Sequence, residues 1–414
     1  MEYTTRDRFI PFTREQITKM LLDEGKLNND EVSKFEQFCL LLKSIYHFEF
    51  HTKLERLKAS YRIFSPEINL APNELENSNT SKIEADLTNK LRQTLIDGNF
   101  EKVSQEDLNA AMEKEGIFPV SCKIDFDSFD YYEIYYQGSS TAKEEIKTWN
   151  PFKKKEVEFN LYDRIVFFFK VKNEEFFHAN KKNNEPGIPG KIYIKYFRNI
   201  PESDLEMIFP NPRPEMKFIH KMQIFLPLLA GFGVLIQKTI IGPFYNAGTN
   251  PLEGGFSLLT KPSYPMIALL IVLGGYVLRT FLGYKNVVQS FLGEIAKSLY
   301  FKDKGNNQGV FTMLIDSAEE EECKEAMMAY YFLLNSNKKM SEETLDNAIE
   351  EWMEEKHKVK IDFEVDDAIK KLEEKDLLSR DKKGILTVVS LDEALNYLDY
   401  IWDNYFDYNK PENI

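Results

Sequence analysis

Two histidines are spaced as metal ligands would be on a helix. In the segment His47-Phe48-Glu49-Phe50-His51, the imidazoles stand at positions i and i+4 and therefore share one helix face. That spacing can bind a metal ion such as zinc, but a complete site needs at least one further ligand. Glu49, at i+2, points elsewhere on a helix. The alternative is an ordinary surface or partly packed helix face, and it is the preferred interpretation.

Four consecutive glutamates form the second group of candidate residues. Ser317 and Glu320 match a capping box, which predicts a helix whose first turn contains Glu319 to Glu322. Carboxylates in a first turn favour the positive end of the helix dipole. A patch for a cation or a basic partner is the alternative, and it makes Glu319, Glu320 and Glu322 weak metal-ligand candidates beside His47 and His51. Cys323, between Glu322 and Lys324, has little to activate it as a nucleophile.

No stronger catalytic or cofactor motif accompanies these groups. The sequence contains no P-loop, no glycine-rich dinucleotide fingerprint, no GxSxG elbow, no CxxC pair and no HExxH. No catalytic residue, metal site or cofactor is therefore predicted, and we expect a protein that is not an enzyme. Three cysteines among 414 residues exclude a disulfide scaffold.

The charge balance argues against a nucleic-acid partner. The net charge is −14, and residues 286–414 alone carry 16 Lys/Arg against 29 Asp/Glu. An acidic surface repels phosphate groups, so neither nucleic acid nor anionic lipid headgroups are expected partners. An acidic C-terminal third behind a nearly neutral remainder favours separate structural units.

Two apolar segments occupy the middle of the chain. Residues 218–237 and 263–283 each contain an uninterrupted apolar run of 13 residues, with basic residues near the ends of the windows. Such a run is short for a membrane span of about 20 residues, but long basic side chains near its ends can reach the headgroups. We therefore predict a transmembrane hairpin, with a buried helical hairpin in a water-soluble core as the alternative.

Basic residues around this hairpin predict its orientation. More Lys and Arg residues flank its outer ends than its connecting loop, which places both termini on the cytoplasmic or matrix side. The start of the chain has no apolar signal region, and the acidic Glu2 and Asp7 fit poorly with a transit peptide. The expected location is a bacterial inner membrane, with a mitochondrial membrane as the alternative.

The expected fold class is a membrane protein with an α+β soluble region. Helical periodicity dominates up to Gly116, and alternating or β-branched segments at 120–124, 131–136, 165–171 and 192–197 predict antiparallel strands. The predicted domains are an N-terminal α+β region (1–217), the transmembrane hairpin (218–283), a helical connector (284–335) and an acidic winged-helix-like domain (336–414).

The charge pattern of the C-terminal domain favours a contact with another protein. Its order of helix, helix, hairpin and helix resembles a winged helix, in which the second helix of a DNA reader supplies basic side chains to the groove. Here Asp366, Asp367, Glu373, Glu374 and Asp376 oppose Lys370, Lys371 and Lys375. A face of this composition repels DNA, so an unidentified protein partner is expected instead.

Several motifs together resemble the transmembrane protein 143 family, whose core is a domain of unknown function. They are Arg8 to Pro11, His47 to Tyr61, Ile200 to Pro210, Ser298 to Phe301, Asn306 to Gly309, Asp316 to Tyr330 and Leu345 to Trp352. The resemblance implies two membrane spans and mitochondrial animal relatives, but no established reaction and no catalytic residues. The missing presequence departs from a mitochondrial member and favours the bacterial location.

The predicted function is that of a membrane-anchored scaffold or regulatory protein that binds protein partners through its cytoplasmic domains. The alternative is a membrane-bound enzyme, with or without a metal, whose pocket lies in the α+β region or beside His47, His51 and the Glu319–Glu322 helix. A transporter of oligomerised hairpins is the weakest hypothesis, because neither apolar segment carries a central acid or histidine. Self-association into a homo-oligomer is left open.

Overall fold

The computed structural model of the protein describes residues 6–68, 79–113, 120–147, 154–180, 185–210, 212–216 and 264–406, with a few single positions between 222 and 233. The chain divides into two compact units. The larger unit comprises Met1–Glu113, Phe126–Leu205 and Lys302–Ile414, and the smaller unit comprises Lys114–Asp125 and Glu206–Phe301.

The described elements are as follows in chain order. The helices are α1 Arg14–Asp23, α2 Asn29–Tyr61, α3 Thr80–Asp97, α4 Gln105–Glu113, α5 Glu174–Ala179, α6 Tyr264–Lys302, α7 Gln308–Leu334, α8 Glu342–His357, α9 Val365–Glu374 and α10 Leu391–Asp403. The strands are β1 Glu101–Lys102, β2 Val120–Lys123, β3 Phe129–Lys147, β4 Lys154–Val171, β5 Ile192–Pro201, β6 Arg213–Met216, β7 Asp303–Asn306, β8 Met340–Ser341, β9 Leu378–Arg380 and β10 Ile385–Val388. Short 3-10 turns lie at Phe126–Ser128 and Glu202–Ile208.

Both N-terminal helices begin with a capping box. Thr13 and Gln16 form a capping box at the start of α1, each side chain accepting from the other's backbone N–H. Asn28 and Glu31 cap the 33-residue helix α2 in the same way. One face of α2 is buried along most of its length, from Phe35 to Tyr61. This long helix therefore forms one wall of the larger unit's core.

A five-stranded antiparallel sheet lies in the larger unit, in the order β1-β3-β4-β5-β7. Its central strand β4 is covered on both faces, because the neighbouring residues Phe167 and Phe168 point to opposite sides and both are fully buried. Phe168 belongs to the core shared with α2 and α7, whereas Phe167 stacks on Phe169. The predicted combination of helices with an antiparallel sheet is confirmed.

Helix α7 occupies the centre of the larger unit. It contacts α1, α2, α3, α8 and α9, and nearly every residue from Val310 to Tyr331 is buried. A helix covered on all sides is normally apolar on all sides. This one instead carries a run of charged residues in its middle, and each of those side chains needs a partner.

The C-terminal segment of the same unit has the predicted order of helix, helix, hairpin and helix. Ser341 caps α8, and a three-stranded sheet in the order β8-β10-β9 contains the hairpin. Helix α9 packs on α7. Leu345, Ile349, Ile369 and Leu372 are fully buried in the core that also contains α7.

The smaller unit includes α6 and the antiparallel pair β2–β6. The predicted span 263–283 falls on α6, whereas the predicted span 218–237 lies almost wholly outside the described residues. In the part of the chain that the structure describes, no helix combines the length and apolar character that a membrane crossing requires. The apolar run Met266–Leu278 has 13 residues, about 20 Å of helix, against a hydrocarbon core of about 30 Å.

This finding corrects three predictions. The transmembrane hairpin at 218–283 is wrong as a description of the fold, and the fold class is mixed helix and antiparallel sheet. The integral-membrane location, in a bacterial inner membrane or a mitochondrial membrane, is wrong with it. Arg279, the expected membrane anchor near the end of the second window, lies inside α6, which continues to Lys302.

Candidate functional site

The four consecutive glutamates lie deep inside α7. The predicted capping box of Ser317 and Glu320 is wrong, because the helix begins at Gln308 and Glu319 is about three turns further on. Among the four, Glu319, Glu321 and Glu322 are buried, as are the neighbouring Lys324 and Glu325. The charged centre of α7 is therefore an interior feature of the unit.

Glu319 pairs with the N-terminal helices. Its carboxylate accepts a hydrogen bond from Nη1 of Arg14 at 2.7 Å and lies 3.0 Å from Nδ1 of His47. The structure thus brings together His47 and Glu319, two of the weak metal-ligand candidates. His51 is exposed. Across the described residues, no three His, Cys, Asp or Glu side chains group closely enough to bind a metal ion.

Glu321 and Lys324 form a fully buried ion pair. Nζ of Lys324 is 2.8 Å from Oε1 of Glu321 and also donates to the carbonyl oxygens of Ile10 and Phe12, at 2.8 and 3.0 Å. The backbone N–H of Ile10 donates to Glu321 at 3.2 Å. Burial raises the pKa of Glu321 to about 7, although Lys324 opposes the rise. This pair binds the segment before α1 to the central helix.

Glu325 faces the C-terminal segment. Oε2 of Glu325 accepts a hydrogen bond from Nζ of Lys371 on α9 at 3.1 Å, and Oε1 accepts one from the side-chain amide of Asn99 at 2.7 Å. Lys371 also lies 2.5 Å from Asp367, four residues earlier on α9. The charges of Glu325 and Lys371 are therefore matched by close partners.

Glu322 has no such close partner. Its Oε1 lies 3.8 Å from Nζ of Lys371 and 4.0 Å from Nζ of Lys53, distances too long for hydrogen bonds. The side chain is 8% exposed and makes no hydrogen bond to a described residue. Burial raises the pKa of Glu322 to about 8, against the opposing effect of Lys371 and Lys53. The carboxyl group is thus mainly protonated at neutral pH.

Glu322 lies in the wall of a cavity of about 650 Å³, which we call the Glu322 cavity. Helices α2, α3, α7 and α9 supply most of the wall, and Tyr405 supplies the remainder. The lining is predominantly polar: Tyr46, Glu49, Thr52, Lys53, Arg56, Gln93, Asp97, Glu322, Asp367, Lys370, Lys371, Glu374, Lys375 and Tyr405. A small-molecule site in a protein has a volume of about 300–1,000 Å³, so this cavity has the size of a ligand site.

Tyr46 supplies a second unpaired group in the same wall. It is 2% exposed, and its hydroxyl has no hydrogen-bond partner among the described residues. Burial, followed by the nearby charge of Glu322, raises the pKa of Tyr46 well above its ordinary value. A buried hydroxyl without a partner loses about 1–3 kcal/mol relative to a paired one. The cavity wall therefore contains two buried groups, Glu322 and Tyr46, whose hydrogen-bonding capacity is unused.

Most other charges in the cavity are paired within it. Nζ of Lys53 is 3.0 Å from Asp97, and Nζ of Lys375 is 2.9 Å from Glu49. By contrast, the exposed side chains of Arg56, Lys370 and Glu374 make no ion pair with any described residue. Two cations and one carboxylate are thus available at the cavity to a molecule from solution.

Glu322 is the one cavity residue that the sequence marks as a candidate ligand, whereas Asp367, Lys370, Lys371, Glu374 and Lys375 stand out there only as charges of the C-terminal domain. Two sets of regularly spaced residues could have indicated the cavity from the sequence. Residues 46, 49, 53 and 56 recur at intervals of three or four, as do 367, 371 and 375, so each set occupies one face of its helix. Their mutual approach depends on the packing of α2 and α9 against α7, which the periodicity of one segment does not reveal.

The cysteines of this unit are inert packing residues. Cys39 and Cys323 are buried, and burial raises the pKa of Cys323 to about 12. A thiol of that pKa is almost entirely protonated at neutral pH, so the geometry gives no support to a nucleophilic role.

A family model described as a protein of unknown function (DUF3754) matches residues 162–309. The matched segment runs from β4 to the start of α7 and ends before the glutamate run. No solved structure matches the chain. The resemblance to the transmembrane protein 143 family stays a prediction.

Proposed function

We propose that this protein binds a small polar molecule in the Glu322 cavity and acts as a ligand-dependent regulatory protein. The observation that carries the proposal is that Glu322 and Tyr46, two buried polar groups without a hydrogen bond to a described residue, lie in the wall of one cavity of ligand size. A bound molecule with a hydroxyl or amide group would complete their hydrogen bonds, which favours binding.

The regulatory part of the proposal rests on where the cavity lies in the chain. Its walls come from α2 and α3 near the N-terminus, from α7, and from α9 in the C-terminal segment. A molecule that contacts all four helices binds the packed arrangement better than one in which α9 has separated. Ligand binding would therefore stabilise the packing of α9 against α7.

Equilibrium dialysis of the full-length protein against a small-molecule cell extract tests the proposal. We expect mass spectrometry to find a compound enriched with the wild-type protein and with Glu351→Gln, an exposed control outside the cavity. The same compound should be lost with Glu322→Leu and reduced with Tyr46→Phe. Enrichment of no compound, or equal enrichment by Glu322→Leu, would overturn the proposal.

Acid–base catalysis is a second candidate function, favoured by one observation. A carboxyl group with a pKa of about 8 in a ligand-sized cavity can both donate and accept a proton near neutral pH. If the retained compound is converted, Glu322→Gln should abolish turnover while binding persists. Turnover by this variant at the wild-type rate would exclude Glu322 as the acid or base.

A scaffold that binds a protein partner, predicted from the charge pattern of α9, has less support. In the larger unit Asp367, Lys371 and Lys375 face the cavity and take part in internal ion pairs. Those charges are therefore engaged within the chain. A protein partner for other surfaces stays a prediction.

A further inference from the structure

The charged side chains of the Glu322 cavity that make no ion pair with a described residue indicate which class of ligand it binds. Every lysine in its wall except Lys370 has a carboxylate partner within 3.1 Å: Asp97 for Lys53, Glu325 for Lys371 and Glu49 for Lys375. These pairs also neutralise the acids Asp97 and Glu49, and Asp367 shares the ammonium of Lys371 with Glu325. Side chains that are already paired contribute little electrostatic attraction to the binding of a cation or an anion from solution.

Three ionised groups remain for a ligand. Arg56 on α2 and Lys370 on α9 are cations without an ion pair among the described residues. Among the ionised acids of the cavity wall, only Glu374 likewise makes no ion pair with a described residue. Glu322 does not add a second negative charge at neutral pH, because burial keeps it mainly protonated. Among the exposed side chains without an ion pair, two cations, one on α2 and one on α9, therefore stand against one carboxylate.

Resting on the proposed function, we infer that the ligand is a small organic anion whose carboxylate or phosphate group binds between Arg56 and Lys370. Its uncharged polar end hydrogen-bonds to Glu322 and Tyr46 in the buried wall. An arginine fork recognises both oxyanions with two parallel hydrogen bonds, and a lysine adds a point charge. Because Arg56 and Lys370 belong to α2 and α9, one anion would join the two helices.

The test separates the extract by charge before dialysis. Anionic, neutral and cationic fractions are each dialysed against wild-type protein, against Arg56→Gln/Lys370→Gln, and against Lys338→Gln/Lys339→Gln. The last variant removes the same charge from two exposed lysines outside the cavity. All four substituted side chains are exposed, so thermal unfolding should show that every variant folds like the wild type.

We expect the retained compound to come from the anionic fraction. Its affinity should fall at least tenfold in the cavity variant and stay unchanged in the control, because two charge-assisted contacts are lost. Phosphatase treatment of the fraction distinguishes the oxyanions: loss of binding identifies a phosphate, and persistence identifies a carboxylate. A retained neutral or cationic compound, or an anion bound equally by the cavity variant, would overturn the inference while leaving the proposed function intact. Retention of nothing from any fraction would overturn both.

Discussion

Nζ of Lys371 lies 3.1 Å from Oε2 of Glu325, and both side chains are almost completely buried. Burial opposes the charge on Lys371, but Glu325, Glu322 and Asp367 together raise its pKa, so the ammonium stays protonated. Lys371 belongs to α9, and Glu325 belongs to the middle of α7. This ion pair therefore joins the C-terminal segment to the central helix directly beside the Glu322 cavity.

Removing Lys371 should destabilise the larger unit strongly. In Lys371→Met, Glu325 keeps its burial but loses its cation, which costs about 3–5 kcal/mol in the free energy of unfolding. Urea unfolding followed by circular dichroism measures this loss. The exposed neighbour Lys370 supplies the control, since Lys370→Met should change stability by no more than about 0.5 kcal/mol. A Lys371→Met protein as stable as this control would contradict the structural importance of the pair.

The stability of the protein should fall as pH rises from about 5 to about 8. Glu322 in the folded chain has a pKa near 8, against 4.5 in an unfolded chain, so the folded state binds the proton more tightly. The contribution of Glu322 to the free energy of unfolding is complete below pH 4.5 and is lost as pH rises through 8. The loss is on the order of 4 kcal/mol. Glu321 and Glu325, whose pKa values burial also raises, act in the same direction.

Glu322→Gln isolates this contribution. The amide has nearly the shape of a protonated carboxyl group but cannot ionise, so the variant should be more stable than the wild type at pH 8 and lose less stability between pH 5 and 8. Part of the slope should persist because of Glu321 and Glu325. Urea unfolding at pH 5, 6.5 and 8 measures the slope. Parallel curves for wild type and variant would show that Glu322 titrates at an ordinary pKa.

Local signals predicted much of the fold, since they depend on neighbours in sequence. The strands predicted at 120–124, 131–136, 165–171 and 192–197 lie where their alternating or β-branched residues predict them. The hairpin and helices of the C-terminal segment follow from periodicity and turn residues in the same way. These elements can be predicted without knowing which other elements pack against them.

The glutamate run shows where local reasoning fails. Four acids in sequence favour a solvated helix start, because an unpaired buried carboxylate is expensive. Their true location depends on partners more than 40 residues away, such as Arg14 for Glu319 and Lys371 for Glu325. The predicted membrane span on α6 is wrong for a related reason, because a short apolar run has the same composition in a membrane span and elsewhere.

A tyrosine hydroxyl fixes the junction between α2, β5 and the start of α7. The hydroxyl of fully buried Tyr61 lies 2.8 Å from the carbonyl oxygen of Ile192 and 3.2 Å from Oδ1 of Asn307. Tyr61→Phe removes this hydroxyl donor, and Oδ1 of Asn307 then keeps only the 3.4 Å contact with the backbone N–H of Ile194, so the change should cost about 1–2 kcal/mol. Chemical unfolding against Tyr397→Phe, at a partly exposed tyrosine, provides the comparison. Equal stability of the two variants would show that the buried hydroxyl contributes nothing.

The segment before α1 should be released when Lys324 is removed. Nζ of Lys324 donates to the carbonyl oxygens of Ile10 and Phe12 and to Glu321, and all three hydrogen bonds are lost in Lys324→Met. Because Glu321 would then be buried without its cation, we expect a loss of about 3–5 kcal/mol in stability. Hydrogen exchange at the backbone N–H of Ile10 should also become faster, since its acceptor Glu321 is no longer fixed.

The same measurement separates a local effect from general destabilisation. Lys371→Met removes another buried lysine. Lys371 contacts Glu325 and Asp367 and makes no hydrogen bond to the described residues before α1. Under native conditions Lys324→Met should therefore accelerate exchange at residues 8–12 more than Lys371→Met does, even when the two variants unfold at the same urea concentration. Equal exchange in both variants would mean that Lys324 stabilises the unit as a whole without specifically fixing the chain before α1.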